Sequence, residues 1–222
     1  MNGKSSLRQA IREDWPLLLV LAVSFVAGLA VAARIQVPVP LHWNWAGEVD
    51  RTTSALAAAL ELPAMTAGIY LLLVFGPRLD PRCSNYERFR PTWRLFRWAF
   101  VLLMAAMTWV PLAAGLGYAL DTGKSVRLII STLFLVLGNS LGQIKSTFLV
   151  GIRTPWTLSD DRVWQHTHRL AGRLWVAAGL VGMATAPLSN ALGGMVFALG
   201  LSVAVIYPVV FSYFDYRRLK RS

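Results

Sequence analysis

With 222 residues, 55% of them hydrophobic and only 15% charged, the chain is too apolar for an ordinary soluble domain, where about a quarter of residues are charged. A mean hydropathy of +0.50 and recurring apolar runs of spanning length leave only short connections and no separate soluble domain. The net charge of +11 is read by its placement rather than as a sign of direct nucleic-acid binding, and the one cysteine, Cys83, excludes an internal disulfide framework.

Residues 1–15 are polar, with Lys4, Arg8 and Arg12 beside Glu13 and Asp14. The uncharged run 16–33 is the first predicted span, since about 20 helical residues cross roughly 30 Å of hydrocarbon. Ala30-Val31-Ala32 looks like a cleavage site, but the run is long for a signal peptide and acids precede it, so a retained span is expected. In the first connection, 34–54, Pro38 and Pro40 keep the chain extended by biasing the residue before each away from helix. Alternation then places Leu41, Trp43 and Trp45 on one side and His42 and Asn44 on the other. Gly47 suits a turn, and Thr53 or Ser54 a helix cap.

The second span, 55–75, carries Glu61 two turns in, followed by Pro63. An arginine-rich connection, 76–93, leads to a third span at 95–120, with Arg97 near its start and Pro111 inside. After a turn at 121–124 the fourth span, 126–150, becomes polar in its second half. A polar, tryptophan-containing connection follows. The fifth span, 170–188, and the sixth, 191–214, meet at Ser189 and Asn190.

Lysine and arginine orient the bundle, because positive residues stay in the cytoplasm. Of the 22, only Arg34, Arg51, Lys124 and Arg127 fall on one side; the other 18 fall on the opposite side, with both termini. The expected fold is an all-α polytopic membrane helical bundle in the cytoplasmic membrane, with six transmembrane helices and both termini cytoplasmic. It is one membrane domain over 1–222. An N-terminal two-span unit at 16–90 carries the outer His42 loop, and a four-span unit at 94–222 carries the inner connection 151–169.

The inner half of the fourth span carries two stripes at helical spacing. One is Gly138, Gly142 and Lys145; the other is Asn139, Gln143 and Ser146. Gly138 and Gly142 form a small-xxx-small pair that lets another helix approach, with Asn139 and Gln143 able to hydrogen-bond across the contact. Beyond them Gly151 permits a positive φ. Thr154, before Pro155, is pushed to an extended conformation. Thr157 then reads as an N-cap, with Asp160 three residues on. Arg162, His166, Arg169 and Arg173 share one helix face. That face is either an amphipathic lead-in on anionic headgroups or part of an electropositive pocket of Lys145, Arg153, Arg169, Trp156 and Trp164. His166 and His168 lie two apart and point about 200° apart on a helix, so they do not share a metal ion. No metal, cofactor or catalytic set is read from the sequence, and no nucleophile stands beside an evident base.

On the outer side, His42, Asn44, Glu48, Asp50 and Arg51 lie close in sequence to Glu61. An intramembrane carboxylate is a functional candidate by default. Its expected partners are Arg51, His42 or Arg127, in a structural ion pair or a sensing site.

Two runs carry a resemblance. Gly138-Asn139, Leu141-Gly142, Lys145, Phe148, Gly151 to Ser159, Val163-Trp164 and Thr167 to Gly172 resemble the SdpI family of bacterial membrane immunity proteins. Pro40, His42, Trp43, Asn44, Gly47 and Asp50 resemble the small uncharacterised domain that often precedes it. Gln143 stands where the pattern has a lysine, and Ser146-Thr147 where Pro-Asn is common. The resemblance implies a non-catalytic immunity and signalling protein. Its partners would be the lipid bilayer, an extracellular peptide toxin and a cytoplasmic transcriptional repressor. An inner site would comprise Asn139, Lys145, Arg153, Thr154, Trp156, Trp164, His168 and Arg169, and an outer site His42, Asn44, Asp50 and Glu61. A membrane enzyme acting on a lipid-linked or peptide substrate at the inner pocket, and a small transporter, are the alternatives.

Overall fold

The structure, a computed structural model, describes residues 7–44, 48–188 and 190–221. Lys4, Trp45, Gly47 and Ser189, and the Arg8 side chain, lie outside the described residues. Helix α1 (Leu7–Ala32) leads into an antiparallel hairpin of β1 (Val39–Trp43) and β2 (Val49–Thr53). Then come α2 (Ala55–Leu79), a 3-10 turn at Cys83–Phe89, α3 (Arg90–Gly115), α4 (Thr122–Leu141), the short α5 (Pro155–Ser159), α6 (Asp161–Ala184) and α7 (Asn190–Leu219).

Among the described residues five helical stretches are long and apolar enough to cross a membrane: Ile11–Ala32, Ala55–Leu79, Cys83–Gly115, Thr122–Leu141 and Asn190–Leu219. The sequence reading expects six. The helix that falls short is α6, whose first half carries Arg162, His166, Arg169 and Arg173. It still runs the length of α4. Trp164 near its start bonds Ile144 just past the end of α4, and Thr185 at its end bonds Arg127 near the start of α4.

The first connection is extended, as Pro38 and Pro40 require, but it is also paired. Val39 faces Thr53 and His42 faces Arg51, with register irregularities either side of His42 that disturb strict alternation. Ser54 caps α2 by accepting from the Ala57 N–H.

α3 is the hub. At one end Val39, Ile35 and Leu112 pack with Ala32, Ala55, Ala58 and Ala59. Midway, Val101 packs with Leu17 of α1 and Tyr70 of α2. At the other end, Trp93 and Phe96 join Tyr86, Phe89, Leu141, Ile144, Trp164 and Ala171. Large apolar side chains left exposed, such as Val26, Leu72, Leu199, Ile206 and Phe214, lie on the outer faces of the helices, where hydrocarbon rather than water is their natural solvent.

The glycine pair on α4 does what its spacing predicts. A Cβ on Gly138 would sit 2.9 Å from the Gly172 carbonyl oxygen, and one on Gly172 would sit 2.6 Å from the Gly138 oxygen. The two backbones therefore touch directly. Helix α4 stops earlier than expected, at Leu141 with Gly142 as its C-cap. Lys145 and Ser146 thus leave the stripes drawn for them. Gln143 turns to α3, accepting from Thr92 Oγ1 at 2.7 Å, and does not bond across the α4–α6 contact. Capping is also redistributed. Thr154 caps α5 in a reciprocal box with Thr157, and Asp160 caps α6.

Candidate functional site

At the end of the bundle that carries most of the basic residues, residues 142–154 form an irregular segment with polar backbone to satisfy. Asp80 supplies much of that. Following α2 and preceding Pro81, it is extended. Its Oδ2 accepts from the Phe148 N–H at 2.8 Å, the Leu149 N–H at 3.0 Å and the Tyr86 hydroxyl at 2.9 Å. Arg82 reaches the Ser146 hydroxyl and the Leu158 carbonyl and lies over the Phe148 ring. Asn85 donates to the Ser146 carbonyl at 2.7 Å. The α2–α3 junction is a cradle for the connection between α4 and α5.

From the other side, α6 closes it. Trp164, 1% exposed, donates to the Ile144 carbonyl at 2.9 Å. His168 is fully buried and stacks on Trp164 at 4.1 Å. Its Nδ1–H donates to the Trp164 carbonyl, so Nε2 is free to accept the Ile152 N–H at 2.9 Å. Gly151 has φ of 112°, and a Cβ there would strike both rings, so glycine is required. Thr157 ties the segment inward by donating to the Ile152 carbonyl. Thr154 meets Ser212, and Trp156 packs on Tyr213 at 5.0 Å, both on α7.

The residues expected to line one electropositive pocket are therefore dispersed. Trp164, His168 and Thr154 are committed to packing and backbone bonds, and Trp156 lies against α7. Arg153 is exposed and donates to the Phe148 carbonyl, and Lys145 is half-buried. Asn139 and Arg169, together with Arg173, line a different feature: an open groove of about 450 Å³ over the Gly138–Gly172 contact. His166 bonds Asp215 at 2.9 Å, away from His168. Among the described residues no three His, Cys, Asp or Glu side chains converge. The Arg162 side chain, bonded to Asp160, holds that carboxyl below its usual range.

Sequence reasoning missed two residues. Asp80 was one acid in an arginine-rich run. Asp14, fully buried, accepts from Arg97 Nε at 2.9 Å, Trp98 Nε1 at 2.8 Å and the Tyr70 hydroxyl at 3.2 Å, and so ties α1, α2 and α3. An acid opening one apolar run and an arginine opening another was the available signal.

At the opposite end, His42 bonds Asp50 at 2.6 Å, with side chains 66% and 43% exposed. The Asn44 amide donates to Glu48, and its carbonyl oxygen accepts the Glu48 N–H. Trp43 Nε1 anchors the hairpin to Thr122 at 2.7 Å. Burial works against the Asp121 charge, but the bonds it accepts from the Lys124 N–H and the Asn190 amide hold its carboxyl below the usual range. Glu61 does not join this cluster. It is exposed on α2, and no hydrogen bond or ion pair reaches it among the described residues. Its expected partner Arg127 is buried against the Thr185 carbonyl instead, and His42 is taken by Asp50.

Spanning-length apolar helices, lipid-compatible outer faces and polar clusters confined to the two ends define a multi-pass helical membrane protein. Residues 143–212, from just past α4 into α7, match the model of the SdpI/YfhL protein family, and residues 19–67 match that of a domain of unknown function (DUF1648). It is 20% identical over 205 residues to the immunity protein SdpI of Bacillus subtilis (strain 168), covering 92% of this chain and 96% of that one. No solved structure matches.

Proposed function

We propose that the chain is an integral protein of the cytoplasmic membrane that makes its cell immune to an extracellular toxic peptide. The observation that carries this is the near end-to-end alignment with an immunity protein, over 92% of this chain and 96% of that one. Helix α6 is the sixth span. Its basic first half sits at the inner surface, where Lys and Arg are stabilised by anionic headgroups. The His42 hairpin then faces outward and the connection cradled by Asp80 faces the cytoplasm. The histidine that an inner catalytic site would use, His168, already has both ring nitrogens bonded. Expression in a toxin-sensitive cell tests the reading. Survival should rise against at least one member of a panel of membrane-active peptides, and unchanged killing by all of them would sink it.

The exposed cationic face of α6, with Arg153 beside it, is the surface proposed to recruit a cytoplasmic repressor. Arg169→Ala should lower membrane recruitment of such a partner while leaving resistance intact. Loss of both together would tie the face to immunity itself.

A further inference from the structure

The end of the bundle opposite the inner connection has an unassigned groove between α4 and α7. It holds about 210 Å³, and its walls include Val126, Ile130, Phe197 and Leu201. Three polar residues interrupt that apolar lining: Asn44 from the hairpin, Arg127 and Asn190. Arg127 is 5% exposed, and its Nε–H has no hydrogen-bond partner among the described residues. Asn190 gives its amide N–H to Asp121, and its Oδ1 is likewise buried without a partner. The arginine is placed deliberately. Its guanidinium crosses α7 over Gly193, where a Cβ would lie 2.4 Å from one guanidinium nitrogen, and it is held by the Thr185 carbonyl. Among the described residues no acid lies within ion-pair distance of it; its charge reaches Asp121, but that carboxylate is bonded to the Lys124 N–H and the Asn190 amide. A buried cation with a free donor invites an anion, and the free amide oxygen beside the same groove invites a donor.

We propose that this groove holds the C-terminal end of an apolar peptide. The terminal carboxylate accepts from Arg127, the last backbone N–H donates to Asn190, and the final apolar side chain fills the space between α4 and α7. A peptide C-terminus sets its carboxylate and an N–H donor on one residue, whereas a phospholipid carries its donor on a separate, flexible glycerol or ethanolamine arm, so peptide fits the pair of orphaned atoms better than lipid. The proposal rests on the immunity reading, which makes a peptide the ligand met on this side.

The test uses the full chain in phosphatidylcholine nanodiscs. The probe is a dye-labelled peptide of two lysines followed by four leucines, made with a free C-terminal carboxylate or a carboxamide. The acid should bind about tenfold to a hundredfold tighter than the amide. Arg127→Gln should abolish the difference, and Asn190→Ala should weaken both forms. Equal binding of acid and amide to the unaltered chain would overturn the proposal without relying on any variant's folding. So would a groove that takes short-chain phosphatidylglycerol while ignoring the peptide's terminus. Cells separate the two readings. Protection that survives Arg127→Gln, with acid and amide bound alike, sinks the groove and leaves immunity standing. A clear acid preference in a chain that protects against nothing does the reverse.

Discussion

The two ends of this bundle are built on opposite plans. At the inner end, the bonds that dock the connection on its neighbours join residues far apart in sequence: Asp80 to Phe148 and Leu149, Arg82 to Leu158, Trp164 to Ile144, His168 to Ile152. Most of these groups are buried, where an unmet polar atom is costly. At the outer end, the hairpin is closed by its own neighbours, His42 to Asp50 and Asn44 to Glu48, through exposed side chains that contribute little to stability. The residues richest in apparent site chemistry, the tryptophans and histidine of the inner connection, turn out to specify shape. The polar residues of the outer hairpin hold little of the fold.

The sharpest way to break the contrast is to remove the inner cradle. Asp80→Ala strands the Phe148 and Leu149 N–H groups and the Tyr86 hydroxyl. It should cost about 3–5 kcal/mol, since each buried orphan costs about 1–3 kcal/mol. Thermal unfolding in nanodiscs should show a large fall, together with protease access to residues 142–154. An unchanged melting curve would mean the connection is held by α6 alone. Asp14→Ala should cost a similar amount, about 3–5 kcal/mol, by leaving Arg97 buried without its partner, but it should loosen α1 and leave the inner connection protected.

How much of this was visible beforehand depends on the range over which each cause acts. The glycine pair was legible because helical spacing is a local signal, and the Gly138–Gly172 contact follows from it. Gly151 and Thr154 were legible for the same reason. The end of α4 at Leu141 was not. Apolar residues return at 148–150, and the carboxylate that takes the Phe148 and Leu149 N–H groups, Asp80, lies more than sixty residues upstream. Likewise Arg97 and Asp14 are 83 apart, and nothing in the sequence announces their pairing. The outer loop was read as extended from its prolines, but pairing with 49–53 needed the three-dimensional register.

A smaller perturbation of the inner end is Gly172→Ala. The new methyl group would meet the Gly138 carbonyl oxygen, pushing α4 and α6 apart at a cost of about 1–3 kcal/mol. If unfolding is unchanged, the backbone contact is slack enough to absorb it. Thr154→Val removes the cap of α5 and the contact with Ser212, for about 1 kcal/mol. Its effect should be read as faster exchange of the α5 amides rather than as global unfolding.

The smallest structural effect belongs to the outer hairpin, and there the comparison is put most directly at risk. His42→Ala breaks an exposed pair with Asp50, so stability should move by no more than about 0.5 kcal/mol. Trp43 still bonds Thr122, which keeps the hairpin docked on the bundle. If the outer end is the side that meets a toxin, resistance should drop in cells carrying this variant while membrane abundance and melting temperature hold. Should the variant instead unfold, the hairpin would be a structural closure of the same kind as the inner connection. Should it stay folded and fully protective, the ligand would be met elsewhere on the outer face, and the Arg127 groove between α4 and α7 would be the next place to probe.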